Sequence, residues 1–126
     1  MTSTATINYV EFAARDLAAT KAFFERVFEW TFTDYGPDYS SFSAADAGLD
    51  GGFFSAPIAN ETSNGGALVV FFANDLDSYL AKVVDGGGNI VKPIFEFPGG
   101  RRFHFKEPSG NEFAVWGHPI ENFGSN

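Results

Sequence analysis

The chain has 126 residues, a formal net charge of −8, 44% apolar residues, 16 phenylalanines and no cysteine. This length and composition predict a single globular domain over 1–126 whose core or cavity has aromatic walls. The acidity argues against nucleic acid or an anionic membrane as a partner, because both need a basic face, and the lack of cysteine excludes disulfides, thiolate metal sites and a cysteine nucleophile.

Residues 1–5 are small and polar and predict a frayed end. The N-terminal segment has neither the basic flank nor the apolar core of an export signal, and no stretch approaches the 18 apolar residues of a membrane span. Together with the absence of cysteine, these features predict a cytoplasmic protein.

The first predicted elements are a strand and a helix. Side chains alternate over 7–14, and from Asp16 to Phe28 the apolar residues, among them Leu17 and Phe24, follow a helical spacing. Asp16 stands where its carboxylate can cap the first helical turn. Two hairpin strands follow at 29–33 and 39–43. A turn region at 44–50 then leads to a fourth strand at 51–55.

A polar linker over 57–66 separates these elements from a second set in the same order. The second set begins with a strand over 67–73 and a helix from Asp75 that ends at the glycines 86–88. Three strands follow, at 89–97, 101–106 and 112–116. Pro93 interrupts the first of these three, which indicates an edge or a bend.

Corresponding residues recur at a nearly constant distance, which indicates an internal repeat. The pair Asp16-Leu17 matches Asp75-Leu76, 59 positions later, and Gly48 matches Gly110, 62 positions later. The pattern predicts an α+β fold of two tandem βαβββ units, each too small to bury its own core. Repeat one covers about 6–56 and repeat two about 67–118, and a C-terminal tail follows at 119–126.

Three segments carry a family resemblance: YVEFAARDLAATKAFFERVFEW, FANDLDSYLAKVVDGGGNIV and FHFKEPSGNEFAVW, which together span about 7–117. They resemble the vicinal oxygen chelate superfamily, which includes glyoxalase I, extradiol dioxygenases, fosfomycin resistance proteins and bleomycin resistance proteins. The resemblance implies that the two units form a curved mixed sheet around a cleft whose concave face lines the ligand site. It also implies a homodimer that brings these cavities to the subunit interface.

Enzymes of this superfamily hold a divalent metal through side chains on the first and last strands of each unit. The resemblance places these positions at Tyr9, Gly52, Leu68 and Ala114. None of them supplies a metal-binding side chain, apart from a remote case for a Tyr9 phenolate, so we predict no metal and no cofactor. His104 and His118 fall outside the pattern and are predicted to be surface or helix-facing residues.

Alternation along the strands places further side chains on the concave face beside these four positions. The predicted ligand-binding residues are Tyr9, Glu11, Phe54, Phe72, Phe103, Phe105, Glu112 and Trp116. Arg101 is predicted on the same face, where it could pair with a carboxylate. Gly52 and Ala114 are small and are expected to leave room for the ligand.

We therefore predict a metal-independent small-molecule binding protein that sequesters an aromatic compound, for which the acidity allows a positive charge. The alternative is a lyase, isomerase or dioxygenase of the superfamily, such as a lactoylglutathione lyase-like enzyme. It would use an unrecognised metal site or Glu11 as a general base in a poorly solvated site. A third possibility is a fold retained for binding another protein, with the hollow filled by Phe103 and Phe105.

Overall fold

A computed structural model describes residues 4–120, and these residues form two four-stranded sheets with helices packed against one face of each. The elements are β1 (Tyr9–Ala14), α1 (Leu17–Phe28), β2 (Thr33–Asp34), β3 (Tyr39–Phe42), α2 (Ala44–Ala47), β4 (Asp50–Ser55), β5 (Val69–Phe72), α3 (Leu76–Asp85), β6 (Asn89–Phe97), β7 (Gly100–Lys106) and β8 (Glu112–Gly117). The strand orders are β1-β4-β3-β2 and β5-β8-β7-β6, with one parallel pair in each sheet. The α+β class and the two βαβββ units are thus confirmed.

The repeat is visible in the local contacts as well as in the strand order. Asp16 Oδ1 accepts a hydrogen bond from the Ala19 backbone N–H at 3.0 Å, and Asp75 Oδ1 accepts one from the Ser78 backbone N–H at 3.2 Å. Each carboxylate thus satisfies one of the unpaired N–H groups at a helix start. The pairing of Val10 with Gly51 recurs as Val69 with Phe113, which matches the two offsets seen in the sequence.

The segment between α1 and β3 differs from the predicted hairpin, since β2 contains only Thr33–Asp34. Glu29 ends α1 in the left-handed region with φ 60°, and the following Trp30 turns inward and stacks on Phe24 at 4.6 Å between ring centroids. Burial of Trp30 therefore replaces the strand geometry expected at 29–33. The predicted turn at 44–50 contains the short helix α2.

The core is shared by the two halves. Phe24 of α1 is fully buried and lies within 5.4 Å of Phe53 in its own half, between ring centroids. It also contacts Phe113 and Phe71 of the second half, at 5.5 Å and 6.4 Å. Rings from both sheets thus close one aromatic core, which is why neither half needs a core of its own.

A buried polar network also joins the halves. Glu107, in the β7–β8 turn, accepts hydrogen bonds from the Thr20 hydroxyl of α1 at 2.7 Å, the Ser109 backbone N–H at 2.8 Å and the Asn111 side-chain amide at 2.6 Å. The same amide of Asn111 donates to the Ala13 carbonyl of β1 at 2.7 Å. Burial raises the pKa of Glu107, against the opposing effect of these hydrogen bonds.

Within 4–120, none of the helices is long and apolar enough to cross a bilayer.

Candidate functional site

The open face of the first sheet, defined as the face turned away from the helices, carries several of the predicted ligand residues. The register pairs Glu11 with Gly52 and Ser41 with Gly52, and Phe54 lies opposite both Ala13 and Tyr39. Partnered residues share a face, so the predicted placement of Tyr9, Glu11 and Phe54 on one face is confirmed. Their role in ligand binding stays a prediction.

Tyr9, Tyr39 and Glu11 form a hydrogen-bonded chain on this face. The Tyr39 hydroxyl donates to Glu11 Oε2 at 2.9 Å and lies 2.6 Å from the Tyr9 hydroxyl, which therefore donates to Tyr39. Burial, followed by the hydrogen bonds to Tyr9 and Glu11, raises the pKa of Tyr39 well above its ordinary value. Tyr39 is therefore a neutral phenol, and Glu11 is exposed, which removes the poor solvation that the general-base hypothesis required.

Gly52 has no room for a ligand or for a metal-binding side chain. A Cβ built on Gly52 would collide with the ring and hydroxyl of Tyr39. The expectation that Gly52 and Ala114 leave space is therefore wrong: Tyr39 covers the first, and the second is 0% exposed. Tyr39 fills this place because it lies two residues along β3 from Ser41, the partner of Gly52, and therefore on the same face of the sheet.

The residues at the family's metal positions do not fit a divalent ion. Gly52, Leu68 and Ala114 have no donor side chain, and Tyr9 bonds to Tyr39. Among residues 4–120, no three His, Cys, Asp or Glu side chains come together as a group that could hold a metal. We therefore derive no chemistry from a metal at this site.

Three residues predicted on the open face of the second sheet lie on its helix-facing side instead. The register pairs Phe103 with Val115 and Phe105 with Phe113, and both phenylalanines are 0% exposed in the core. Arg101 also points towards the helices and forms an ion pair with Asp77 of α3 at 3.2 Å. The five-residue turn between Lys106 and Glu112 sets this register and assigns odd-numbered residues of β7 to the core.

The open face of the second sheet has a different composition from the one predicted. A row of partnered residues crosses all four strands: Phe72, Trp116, Arg102 and Phe95. Phe72 is 48% exposed, and its ring centroid lies 4.9 Å from that of Trp116. Of the predicted residues, Phe72, Glu112 and Trp116 are on this face, and Arg102, Phe95 and His104 join them.

His104 is neither a surface residue nor helix-facing, so that prediction is wrong. It is 4% exposed on the open face, and its Nδ1 lies 3.4 Å from Glu112 Oε2. The carboxylate can only accept, which assigns the proton to Nδ1 and leaves the buried Nε2 without a hydrogen-bond partner among residues 4–120. His118 is exposed, as predicted, beside Phe72 at 5.1 Å between ring centroids.

The charge states of the buried pair follow from its surroundings. Burial lowers the pKa of His104, and the positive charges of Arg102 and Lys92 add to that effect against the opposing influence of Glu112. For Glu112, burial acts to raise the pKa, but hydrogen bonds from the Thr62 backbone N–H and hydroxyl, both 2.9 Å long, together with His104 lower it overall. The pair is therefore a neutral imidazole beside an anionic carboxylate.

This pair predicts a pH-dependent stability. Because folding lowers the pKa of His104 from its ordinary 6.5, the unfolded chain binds a proton below that pH that the folded chain does not. The contribution of His104 to the free energy of unfolding should therefore fall as the pH drops below about 7.5. In urea titrations, His104→Gln should flatten this profile, whereas His118→Gln, at the exposed histidine, should keep the wild-type slope. Equal slopes for all three proteins would contradict the assignment.

A cleft between the halves, on the helix side, holds a cavity of about 440 Å³. Half of its lining residues are aromatic, and these come from both halves: Phe12, Phe28, Trp30, Phe42, Phe71, Phe72, Tyr79 and Phe113. Asp46, a carboxylate that lines this cleft, accepts hydrogen bonds from the backbone and hydroxyl of Thr31 at 2.9 Å and 3.0 Å. The cleft can take an apolar molecule but offers little to orient it.

These features define a class of protein: an α+β domain of duplicated βαβββ units. Residues 6–115 match the family model described as "Glyoxalase/Bleomycin resistance protein/Dioxygenase superfamily". The chain belongs to that superfamily. It is 26% identical over 117 residues to "Putative glyoxylase CFP32" of Mycobacterium tuberculosis, covering 88% of this chain and 45% of that protein. The chain thus spans less than half the length of the curated relatives that it matches.

Solved structures share the fold at low sequence identity. A glyoxalase-related enzyme from Fulvimarina pelagi aligns with a TM-score of 0.76 and 14% identity, over 93% of this chain and 91% of that one. A mutant of the fosfomycin resistance protein FosX from Listeria monocytogenes, complexed with Mn(II) and 1S,2S-dihydroxypropylphosphonic acid, aligns with a TM-score of 0.73 and 18% identity, over 95% and 94%. At these identities the likeness concerns the fold alone.

Proposed function

We propose that the protein is a metal-independent binding protein for a flat aromatic small molecule. The observation that carries this proposal is the exposed aromatic surface of the second sheet, where Phe72 is 48% exposed beside Trp116. Stacked or edge-on contact with such rings binds planar molecules through burial of apolar area, without bond chemistry. The aromatic core residues Phe103 and Phe105 do not fill this surface, because they point to the other side of the sheet.

Metal independence rests on the donor set described above, and metal analysis tests it directly. Protein purified without a metal-affinity tag should contain no stoichiometric Fe, Ni, Zn or Mn by elemental analysis. Calorimetric titration with Mn²⁺ should likewise show no site, whether or not an aromatic probe is present. One equivalent of tightly held metal would contradict the proposal and favour the enzymatic alternative within the superfamily.

The two tryptophans lie in the two candidate places and can report which one binds. Trp116 lies on the open face of the second sheet, whereas Trp30 is 5% exposed and lines the cleft between the halves. Titration of 15N-indole-labelled protein with naphthalene-2-carboxamide should shift the Trp116 resonance and leave that of Trp30 in place, with assignments from Trp116→Phe and Trp30→Phe. A shift confined to Trp30 would move the site to the cleft, and no shift at either would contradict the proposed function.

A positively charged ligand would be attracted to the first sheet rather than to the aromatic surface of the second. The open face of the first sheet carries Glu11 and Asp50, whereas that of the second carries Lys92, Arg102 and Lys106 against Glu112. The same opposition of charge supports a homodimer in which the two faces meet across copies. Light scattering at micromolar concentration should give the mass of a dimer, and a monomeric mass would contradict this assembly.

A further inference from the structure

Arg102 lies in the middle of the aromatic row on the open face of the second sheet. The register places it between Trp116 on β8 and Phe95 on β6. Its guanidinium carbon lies 5.4 Å from the ring centroid of Phe95 and 5.6 Å from that of Phe97. Contact with these rings holds the guanidinium in place, and its terminal Nη groups are left available to a ligand.

The charge of Arg102 is not neutralised within the described part of the chain. Its neighbours on this face are already paired: Lys106 with Glu61 at 2.8 Å, and Glu112 with Thr62 and His104. Arg102 has no carboxylate within ion-pair distance among residues 4–120, and its Nε is buried without a hydrogen-bond partner there. A guanidinium without a partner carboxylate keeps its full charge available to an anionic group of a ligand.

The local electrostatic potential has the sign that an anion needs. Lys92 lies on the same face, in register with His104, and the charges of Lys92 and Arg102 both act to lower the pKa of His104. The imidazole is therefore neutral, and Lys92 and Arg102 are the groups beside it that attract an anion. This surface is positive although the chain as a whole carries a net charge of −8.

Beside Arg102 lies a hollow of about 300 Å³, lined by Val70, Phe97, Gly99, Arg102 and Trp116. Its size matches the lower range of small-molecule sites. Trp116 and Phe97 form aromatic walls with ring centroids 6.3 Å apart, and Val70 adds an apolar wall that is 39% exposed. A planar ring can rest against these side chains while a group on its rim reaches the guanidinium.

We propose that Arg102 is an anion-binding subsite and that the ligand of this face is a planar aromatic compound bearing a carboxylate or a similar acidic group. The inference rests on the proposed function, since it specifies the ligand of the same surface. Arginine is suited to this role because its two terminal Nη groups can bind both oxygens of a carboxylate at once. An arginine that only packed on the phenylalanines, without reaching the ligand, would give at most a weak preference for an acid over a neutral molecule of the same shape.

The test compares two probes of matched shape, naphthalene-2-carboxylate and naphthalene-2-carboxamide, by calorimetry and by the Trp116 indole resonance. The carboxylate should bind about tenfold more tightly than the carboxamide, as expected for a charge-assisted bidentate contact. Arg102→Gln should abolish this preference while leaving the affinity for the carboxamide within about twofold of wild type. Arg102→Lys, which keeps the charge but loses the planar fork, should retain part of the preference.

The matched control is Arg15→Gln, which removes one positive charge from an exposed position in the first half and should keep the full preference. Urea unfolding of each variant checks that the fold is intact. Equal affinity for the two probes in the wild-type protein would overturn the subsite but leave the aromatic binding function standing. A loss of both probes in Arg102→Gln and Arg102→Lys alike would show that Arg102 acts through packing. No binding of either probe would contradict the proposed function itself.

Discussion

Phe24→Ala should lower the free energy of unfolding by about 3–5 kcal/mol, which is the usual cost of removing a fully buried aromatic ring. Phe24 is 0% exposed and its ring contacts Trp30 and Phe53 on one side of the molecule and Phe71 and Phe113 on the other. Removal of the ring leaves a cavity where the halves meet, and the surrounding rings cannot all move inward to fill it.

The measurement is urea unfolding followed by both fluorescence and circular dichroism. Tyr35→Ala removes a ring of similar size that is 63% exposed, and it should change the free energy of unfolding by only about 0.5 kcal/mol. Because the core is shared, wild-type protein should unfold in one transition seen alike by both probes. Two separate transitions, or a cost for Phe24→Ala no greater than that for Tyr35→Ala, would contradict a core shared by both halves.

Glu107→Gln should destabilise the protein by about 1–3 kcal/mol, although it changes only one oxygen to an amide nitrogen. The Glu107 carboxylate acts as the acceptor in its hydrogen bonds with Thr20, Ser109 and Asn111. A glutamine would turn an amide N–H₂ group towards at least one of these donors, in a place that is 2% exposed and cannot be rescued by water. Glu107→Ala should cost more, about 3–5 kcal/mol, because all three donors lose their acceptor.

The loss for Glu107→Gln should also depend on pH. Burial raises the pKa of Glu107, so its contribution to stability is fully present below the ordinary value of 4.5 and is lost as the pH rises through the higher folded-state value. The difference between wild type and Glu107→Gln in urea unfolding should therefore be larger at about pH 4.5 than at pH 8. Glu25→Gln, on the exposed side of α1, is the control and should change stability little at either pH. If Glu107→Gln were as stable as Glu25→Gln, the buried polar network around Glu107 would not stabilise the contact between the halves.

The open faces show where sequence reasoning reached its limit. Alternation divides each strand into two faces correctly, and for β1 and β4 the assignment of those faces was confirmed. For β7 it was reversed, since Phe103 and Phe105 lie in the core and Arg102 and His104 lie on the open face. The signal that could have corrected it is the turn at 107–111: its length fixes the pairing of Lys106 with Glu112, and with it every later pair.

By itself the sequence determined the duplicated architecture, because its evidence is local. A capping aspartate, a change from strand to helical periodicity and a glycine that turns the chain each act within a few residues, so Asp16 and Asp75 predict equivalent helices wherever the chain later folds. Only the tertiary structure decided the contents of the site. The position of the Tyr39 hydroxyl over Gly52, the contact of His104 with Glu112 and the placement of Arg102 on the open face all depend on the register between neighbouring strands. A register shift of one residue moves every side chain to the other face while leaving the sequence pattern unchanged.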